Sequence, residues 1–254
     1  MAVVGLSAGA FFAAQFHVAF SSELIGAGII AGGPYYCTLY MLCLMHTYST
    51  FHYSLFSTTG AKDSLANAFT ACMNVPEEIN VDALVQVAKT CAAEGNCDSL
   101  SNLSQQRVWL FSGTKDTVVN PGVVKKVQQF YEAIPVAADL INTTYDVPAE
   151  HSWPTLDTGN ACAHKGTPYI NKCDFDSSLL MLSHIFGPLN APVTADPANI
   201  IQLPQSVYIP GGKEPAKVSL SDTAYAYVPA ACKPVPGTYT CRAALLFVCM
   251  CVCV

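Results

Sequence analysis

Charge is scarce in this chain. Only 12% of its 254 residues are Asp, Glu, Lys or Arg, about half the share found in ordinary soluble proteins. The 12 Lys+Arg are outnumbered by 18 Asp+Glu, a formal net charge of -6. Neutralising a phosphate backbone needs a basic surface, so nucleic acid is excluded as a partner. A disordered, solvating chain needs high charge and low hydrophobicity, and here hydrophobic residues make up 52%. No C-x2-C pair and no matching His spacing occurs, so no metal and no other cofactor is expected. The C-x-C-x-C run that ends at Cys253 lies in an apolar tail. Residues 24–61 hold no Lys, Arg, Asp or Glu. The stretch 24–45 could span a bilayer by length. Gly32-Gly33-Pro34 breaks it at its centre, so a buried strand followed by an apolar loop is expected, without stable membrane insertion.

What the chain has in excess is cysteine: there are 12. Such a number points to disulfides and an oxidising compartment. Cys91/Cys97, Cys162/Cys173 and Cys232/Cys241 are closely spaced and flanked by Asn, Gly, Pro and Thr. They read as loop staples. Asn102-Leu103-Ser104 and Asn142-Thr143-Thr144 are glycosylation sequons in a secreted protein. Extracellular localisation is therefore expected. No basic n-region precedes the opening apolar residues, and a secreted chain without a leader is expected to lack its natural N-terminus.

Along the chain, residues 2–6 read as a short buried strand and 8–20 as a helix. Residues 28–33 read as a strand ending at Gly-Gly-Pro, and 77–93 as a surface helix. The apolar run Val108-Trp109-Leu110-Phe111 reads as a strand. Pro121 opens a helix to about Glu132, with Val123, Val124, Val127 and Phe130 on its inner face. Residues 139–145 read as a strand, 175–186 as a helix and 224–228 as a strand. Strand and helix alternate, which implies an α/β fold with a mainly parallel sheet covered on both faces. One domain over 1–254 is expected, with 38–60 as an atypical insertion and 243–254 as an apolar tail that is either a strand or an unnatural end.

The sharpest local signal is Gly5-Leu6-Ser7-Ala8-Gly9. A G-x-S-x-G between a strand and a helix is the pattern of a nucleophile elbow. Small residues on either side of the serine permit a tight turn that exposes Ser7 Oγ, and the following helix start favours negative charge. Ala8 N–H is the first candidate oxyanion donor. A serine needs a base, and the base needs a carboxylate behind it. Of the six histidines, His17 and His184 lie in expected helices, His46 and His52 in the charge-free stretch, and His164 inside the Cys162–Cys173 loop. His151 follows a strand and a Val-Pro-Ala-Glu loop, from which it can return over the strand ends. Asp116 stands just beyond the strand 108–111, where open α/β sheets bind their ligands. Asp146 and Asp157 are its rivals. Ser7, Asp116 and His151 also follow the Ser…Asp…His chain order of α/β-hydrolases.

With these residues in view, the sequence resembles extracellular poly(3-hydroxybutyrate) depolymerases. The resemblance rests on Gly5-Leu6-Ser7-Ala8-Gly9 with Ala13-Ala14-Gln15, and on Ala31-Gly32-Gly33-Pro34-Tyr35-Tyr36-Cys37. Ser112-Gly113-Thr114-Lys115-Asp116-Thr117-Val118-Val119, His151-Ser152-Trp153-Pro154-Thr155, Pro168–Asp176 and Tyr225–Cys232 extend it over most of residues 3–241. It implies an α/β-hydrolase-like fold with Ser7 as nucleophile, Asp116 as acid and His151 as base. Some members are circularly permuted, which would explain why only about four residues precede Gly5. Such members continue past the Cys241 region with a strand and a His-Gly-Cys turn that residues 243–254 do not carry, so truncation at both ends is expected. The implied substrate is a polyester or a small ester, cleaved through an acyl-enzyme. A low-charge aromatic rim suits an apolar polymer, with Trp153, Tyr35 and Tyr36 as candidate substrate-binding residues. Another secreted ester hydrolase, feruloyl or short-chain, and a noncatalytic secreted relative are the alternatives.

Overall fold

The computed structural model describes residues 1–37, 70–218, 220–232, 241 and 244–248. Within the chain, expected to form one domain over 1–254, contacts define two compact units. One comprises 1–41, 53–189 and 243–254, and the other 42–52 and 190–242. The expected insertion at 38–60 lies outside the described residues.

The larger unit is built on a five-stranded sheet. Its strands are β1 (Ala2–Leu6), β2 (Gly26–Ile30), β3 (Arg107–Phe111), β4 (Ile141–Thr144) and β10 (Ala244–Val248). The order is β10-β1-β2-β3-β4, and all neighbours run parallel. The central strands β1 and β2, and β3 from Val108 on, are apolar and buried because both faces are covered, while the edge strand β4 is Ile-Asn-Thr-Thr. Val3, Ala27, Ile29, Val108 and Leu110 pack into one core with helices α1 (Ala8–Ala19) and α3 (Pro121–Ala133). Alternate residues Val4, Ile30, Trp109 and Phe111 join a second core with Met181 and Ile185 of α4 (Ser177–Phe186). That period of two is the strand's own geometry. Helix α2 (Val81–Ala93) adds Val85 and Ala88 to the first core.

The apolar tail is a strand over the five residues of β10, at the sheet edge next to β1, with Val248 in register with Leu6. Helix limits are set by side-chain caps that hydrophobic period does not reveal. The helix expected from residue 77 begins at Val81, because Asn80 Oδ1 accepts Ala83 N–H at 3.1 Å and Pro76–Glu78 forms a separate 3-10 turn. The one expected from 175 begins at Ser177, where Asp176 Oδ1 accepts Leu179 N–H at 2.9 Å. The strand expected over 139–145 shortens to Ile141–Thr144, since Ala138–Leu140 is a 3-10 turn.

A three-stranded parallel sheet, unforeseen from the sequence, is formed by β5 (Trp153–Thr155), β6 (Asn160–Ala161) and β7 (Ile170–Lys172) in the order β5-β7-β6. These strands are too short to show a period. The smaller unit holds the antiparallel pair β8 (Ile200–Pro204) and β9 (Thr223–Tyr227). The three expected staples Cys91–Cys97, Cys162–Cys173 and Cys232–Cys241 are formed, and Cys37–Cys72 is a fourth disulfide. Among the described residues no helix is long and apolar enough to cross a membrane.

Candidate active site

Ser7 stands between β1 and α1 with φ 57° and ψ -125°. A non-glycine residue with positive φ is held there against a cost of about 1–3 kcal/mol. The turn is held by Ser7 N–H donating to Ile30 O at 3.0 Å, and by Ala10 and Phe11 N–H donating to Ser7 O at 2.8 and 3.0 Å. A Cβ on Gly5 would lie 2.2 Å from the backbone of Gly9, so glycine alone permits the strand and helix to approach this closely. The first helical bonds come from Ala10 and Phe11, which leaves Ala8 N–H outside the helix ladder at its positive end. Ser7 is half-buried.

Asp116 and His151 meet beyond the carboxyl end of β3. His151 Nδ1 lies 2.9 Å from Asp116 Oδ2. Only 4% of His151 and 8% of Asp116 is exposed, so the pair is shielded from water. The other carboxylate oxygen, Oδ1, accepts Val118 and Val119 N–H, each at 2.9 Å. With both oxygens engaged, the carboxylate is fixed and the imidazole takes its orientation from it. Asp116, not Asp146 or Asp157, makes this bond.

The pair is 35 residues apart in sequence. Close backbone contact brings it together. Thr114 N–H donates to Val147 O at 2.8 Å and Lys115 N–H to Ala149 O at 3.1 Å. A Cβ on Gly113 would sit 2.1 Å from Ala149 O, so a side chain there would drive the two segments apart.

The sequence missed two neighbours of the imidazole. The Tyr169 ring meets His151 edge-on at 6.2 Å. Glu150 is buried at 6% exposure, and its Oε1 accepts Thr117 N–H and Oγ1–H, each at 2.8 Å. Its adjacency to His151 was the only signal available. Trp153 is half-buried and its Nε1–H donates to Ser178 Oγ at 3.0 Å. Tyr36 is half-buried, with its backbone N–H donating to Gln15 Oε1 at 2.8 Å. Tyr35, the other tyrosine expected to touch substrate, is placed among core residues. It is 4% exposed, stacks on Phe130 at 5.9 Å, and directs its hydroxyl to Cys97 Sγ at 3.4 Å.

His17, His164 and His184 stand apart from this pair. His17 lies between Tyr131 Oη at 2.9 Å and Gln106 Oε1 at 2.7 Å. His184 Nε2 reaches Leu140 O at 2.9 Å, and the exposed His164 gives its carbonyl to Asn171 Nδ2 at 2.7 Å. His46 and His52 lie outside the described residues.

No protein-family model matches the chain. It is 38% identical over 243 residues to a poly(3-hydroxybutyrate) depolymerase of Delftia acidovorans, covering 94% of this chain and 43% of that protein. It is 28% identical over 240 residues to a polyhydroxybutyrate depolymerase of Talaromyces funiculosus, covering 91% of this chain and 60% of that protein. The chain thus spans about half the length of these curated relatives. Its fold matches the crystal structure of a PHB depolymerase from Penicillium funiculosum with a TM-score of 0.72 at 24% identity, over 97% of this chain and 68% of that one. It also matches a PHB depolymerase complexed with an R3HB trimer, with a TM-score of 0.74 at 23% identity and the same coverage. The fold is therefore α/β-hydrolase-like with a mainly parallel sheet, as expected from the alternation of strands and helices. The chain is thus similar in sequence to poly(3-hydroxybutyrate) depolymerases over part of their length, and it shares the fold of PHB depolymerase structures.

Proposed function

We propose that the chain hydrolyses ester bonds in poly(3-hydroxybutyrate) or related hydroxyalkanoate oligomers through an acyl-enzyme at Ser7. The observation that carries this is the buried bond between His151 Nδ1 and Asp116 Oδ2, at the strand ends of the sheet that also bears the strained serine turn. With Nδ1–H donated to Asp116, the Nε2 lone pair is free to act as a base. It takes the proton of Ser7 Oγ as that oxygen attacks the ester carbonyl. Ala8 N–H and a second N–H donor stabilise the oxyanion, each worth about 2.7–4 kcal/mol in the transition state. The intermediate collapses as the ester C–O bond breaks, and His151 Nε2 gives its proton to the departing alkoxide oxygen, which leaves as the alcohol. Water, deprotonated by the same imidazole, attacks the acyl-enzyme and releases the acid and Ser7.

The half-buried aromatics Trp153 and Tyr36 are proposed to flank the ester. A polymer with no charges needs no counter-ions, which suits a chain this poor in charge. Four disulfides and exposed sequon residues Asn102 and Asn142 support an extracellular setting. A strand from the C-terminal end of the chain beside β1 supports a circularly permuted connectivity.

The test is a fluorophosphonate probe together with hydrolysis of polyester film and of short acyl esters. Labelling is expected at Ser7, and is expected to vanish in Ser7→Ala and in His151→Ala. Undiminished hydrolysis by Ser7→Ala would refute the mechanism. Activity on short esters without activity on film would assign the chain to another class of ester hydrolase.

A further inference from the structure

Among the described residues, Asp116 and Glu150 are the buried acids, and the mechanism above uses only the first. Glu150 sits at a crossing of chain segments. Its Oε1 accepts both Thr117 N–H and Thr117 Oγ1–H at 2.8 Å. Lys165 Nζ donates to Thr117 Oγ1 at 3.1 Å, which places a cation at the far side of the cluster. The Glu150 backbone is held as well: its N–H donates to Cys162 O at 3.0 Å, and its carbonyl accepts Ser152 Oγ–H at 3.1 Å.

The neighbours of Thr117 and Glu150 in the chain are informative. Thr117 follows Asp116, and His151 follows Glu150. One carboxylate therefore joins the loop that carries the acid to the residue just before the imidazole. Asp116 Oδ1 pins the same loop through Val118 and Val119. Burial pushes the Glu150 carboxyl towards its neutral form. The hydrogen bonds from Thr117, with the His151 peptide N–H and Lys165 nearby, outweigh this and hold it below the usual carboxylate range. It is ionised at neutral pH and grips its donors as an anion, with charge-assisted bonds roughly twice as strong as neutral ones.

We propose that Glu150 is a positioning residue that keeps His151 and Asp116 in register by tying the Thr117 loop to the chain segment that carries His151. The inference rests on the hydrolase reading above. Without the tie, Asp116 and His151 are aligned by the backbone bonds of Thr114 and Lys115 to Val147 and Ala149 and by the 2.9 Å imidazole bond, and among the described residues nothing beyond Asp116 joins its loop to the residue before His151. A misplacement of about 1 Å at a reacting group costs on the order of 100-fold in rate.

Two measurements on the full chain test it. One is steady-state hydrolysis of a short p-nitrophenyl ester by wild type, Glu150→Ala and Glu150→Gln. The other is the far-downfield proton NMR resonance of His151 Nδ1–H, assigned by its loss in His151→Gln, which needs no turnover. Glu150→Ala is expected to lower kcat by roughly 10- to 100-fold with KM within about twofold, and to broaden or abolish the resonance. Glu150→Gln, which keeps an acceptor for Thr117, is expected to recover most of both. If Glu150→Ala does not fold, Thr117→Val removes one donor and is expected to move both readouts in the same direction. An unchanged kcat, a loss confined to KM, or a loss of kcat with the resonance intact overturns the proposal. A wild type that hydrolyses no ester but whose resonance still depends on Glu150 overturns the hydrolase reading and supports the tie.

Discussion

Acid should destabilise this protein through a histidine far from the site. His17 is fully buried on α1. Gln106 Nε2 donates to Ser21 O at 2.6 Å, so Gln106 Oε1 faces His17 Nε2 as an acceptor, and that nitrogen carries the proton. His17 Nδ1 is then the acceptor for Tyr131 Oη–H at 2.9 Å. The neutral ring is satisfied at both nitrogens. A second proton would land on Nδ1, against the hydroxyl that now donates to it. Burial, opposed in part by the Gln106 bond, lowers the pKa from 6.5 to about 4. In the unfolded chain the ring takes a proton below pH 6.5, while in the native protein it does so only near pH 4. Stability is therefore fully present above pH 6.5, falls between 6.5 and 4, and levels off below. The gap corresponds to about 3 kcal/mol, with a slope approaching about 1.4 kcal/mol per pH unit. Guanidinium unfolding followed by tryptophan fluorescence at pH 7.5, 6.5, 5.5 and 4.5, with disulfides kept oxidised, measures it. Carboxylates contribute a slope of their own, so the comparison is with His17→Gln, which offers a donor and an acceptor but does not titrate. Wild type is expected to lose about 2–3 kcal/mol more than the variant between pH 7.5 and 4.5. Parallel slopes, or an NMR titration of His17 near 6.5, would refute the reasoning.

Three other changes have defined outcomes. Asp116→Asn leaves the imidazole without a carboxylate to set its tautomer, and should lower kcat on the order of 10³–10⁴-fold in ester hydrolysis while leaving the melting temperature little changed. Gly113→Ala places a methyl group against Ala149 O. It should lower both stability, by about 1–3 kcal/mol in a denaturant melt, and activity, because the same contact aligns Asp116 with His151. Trp109→Ala opens a cavity in the second core, where the ring is 1% exposed and stacks on Phe111 at 5.9 Å. A loss of about 3–5 kcal/mol in the same melt is expected.

The fold was largely legible because its central strands are continuous apolar runs between clear breaks. Val108–Phe111 has no alternation to confuse it, and parallel strands buried on both faces need none. The serine turn was legible too, since Gly5 and Gly9 flank Ser7 in the spacing a tight strand-to-helix turn demands. Asp116 and His151 could be placed near strand ends, but Asp146 and Asp157 were equally acidic in the sequence. Short strands such as Asn160–Ala161 carry no period, so the small sheet beyond His151 went unseen. Tyr35 and Tyr36 are adjacent and chemically alike, yet the first is buried against Phe130 and the second is half-exposed.

The sequence by itself determined the class of fold, the strand-to-helix turn at Ser7 and the local disulfides, all of which depend on residues close together in the chain. Tertiary structure alone decided which carboxylate faces His151, that Glu150 bridges the two segments, and that the apolar end at Ala244–Val248 pairs with β1. These are contacts between distant segments. They depend on how strands stack and on distances of a few ångströms, and neither composition nor spacing along one chain encodes them directly.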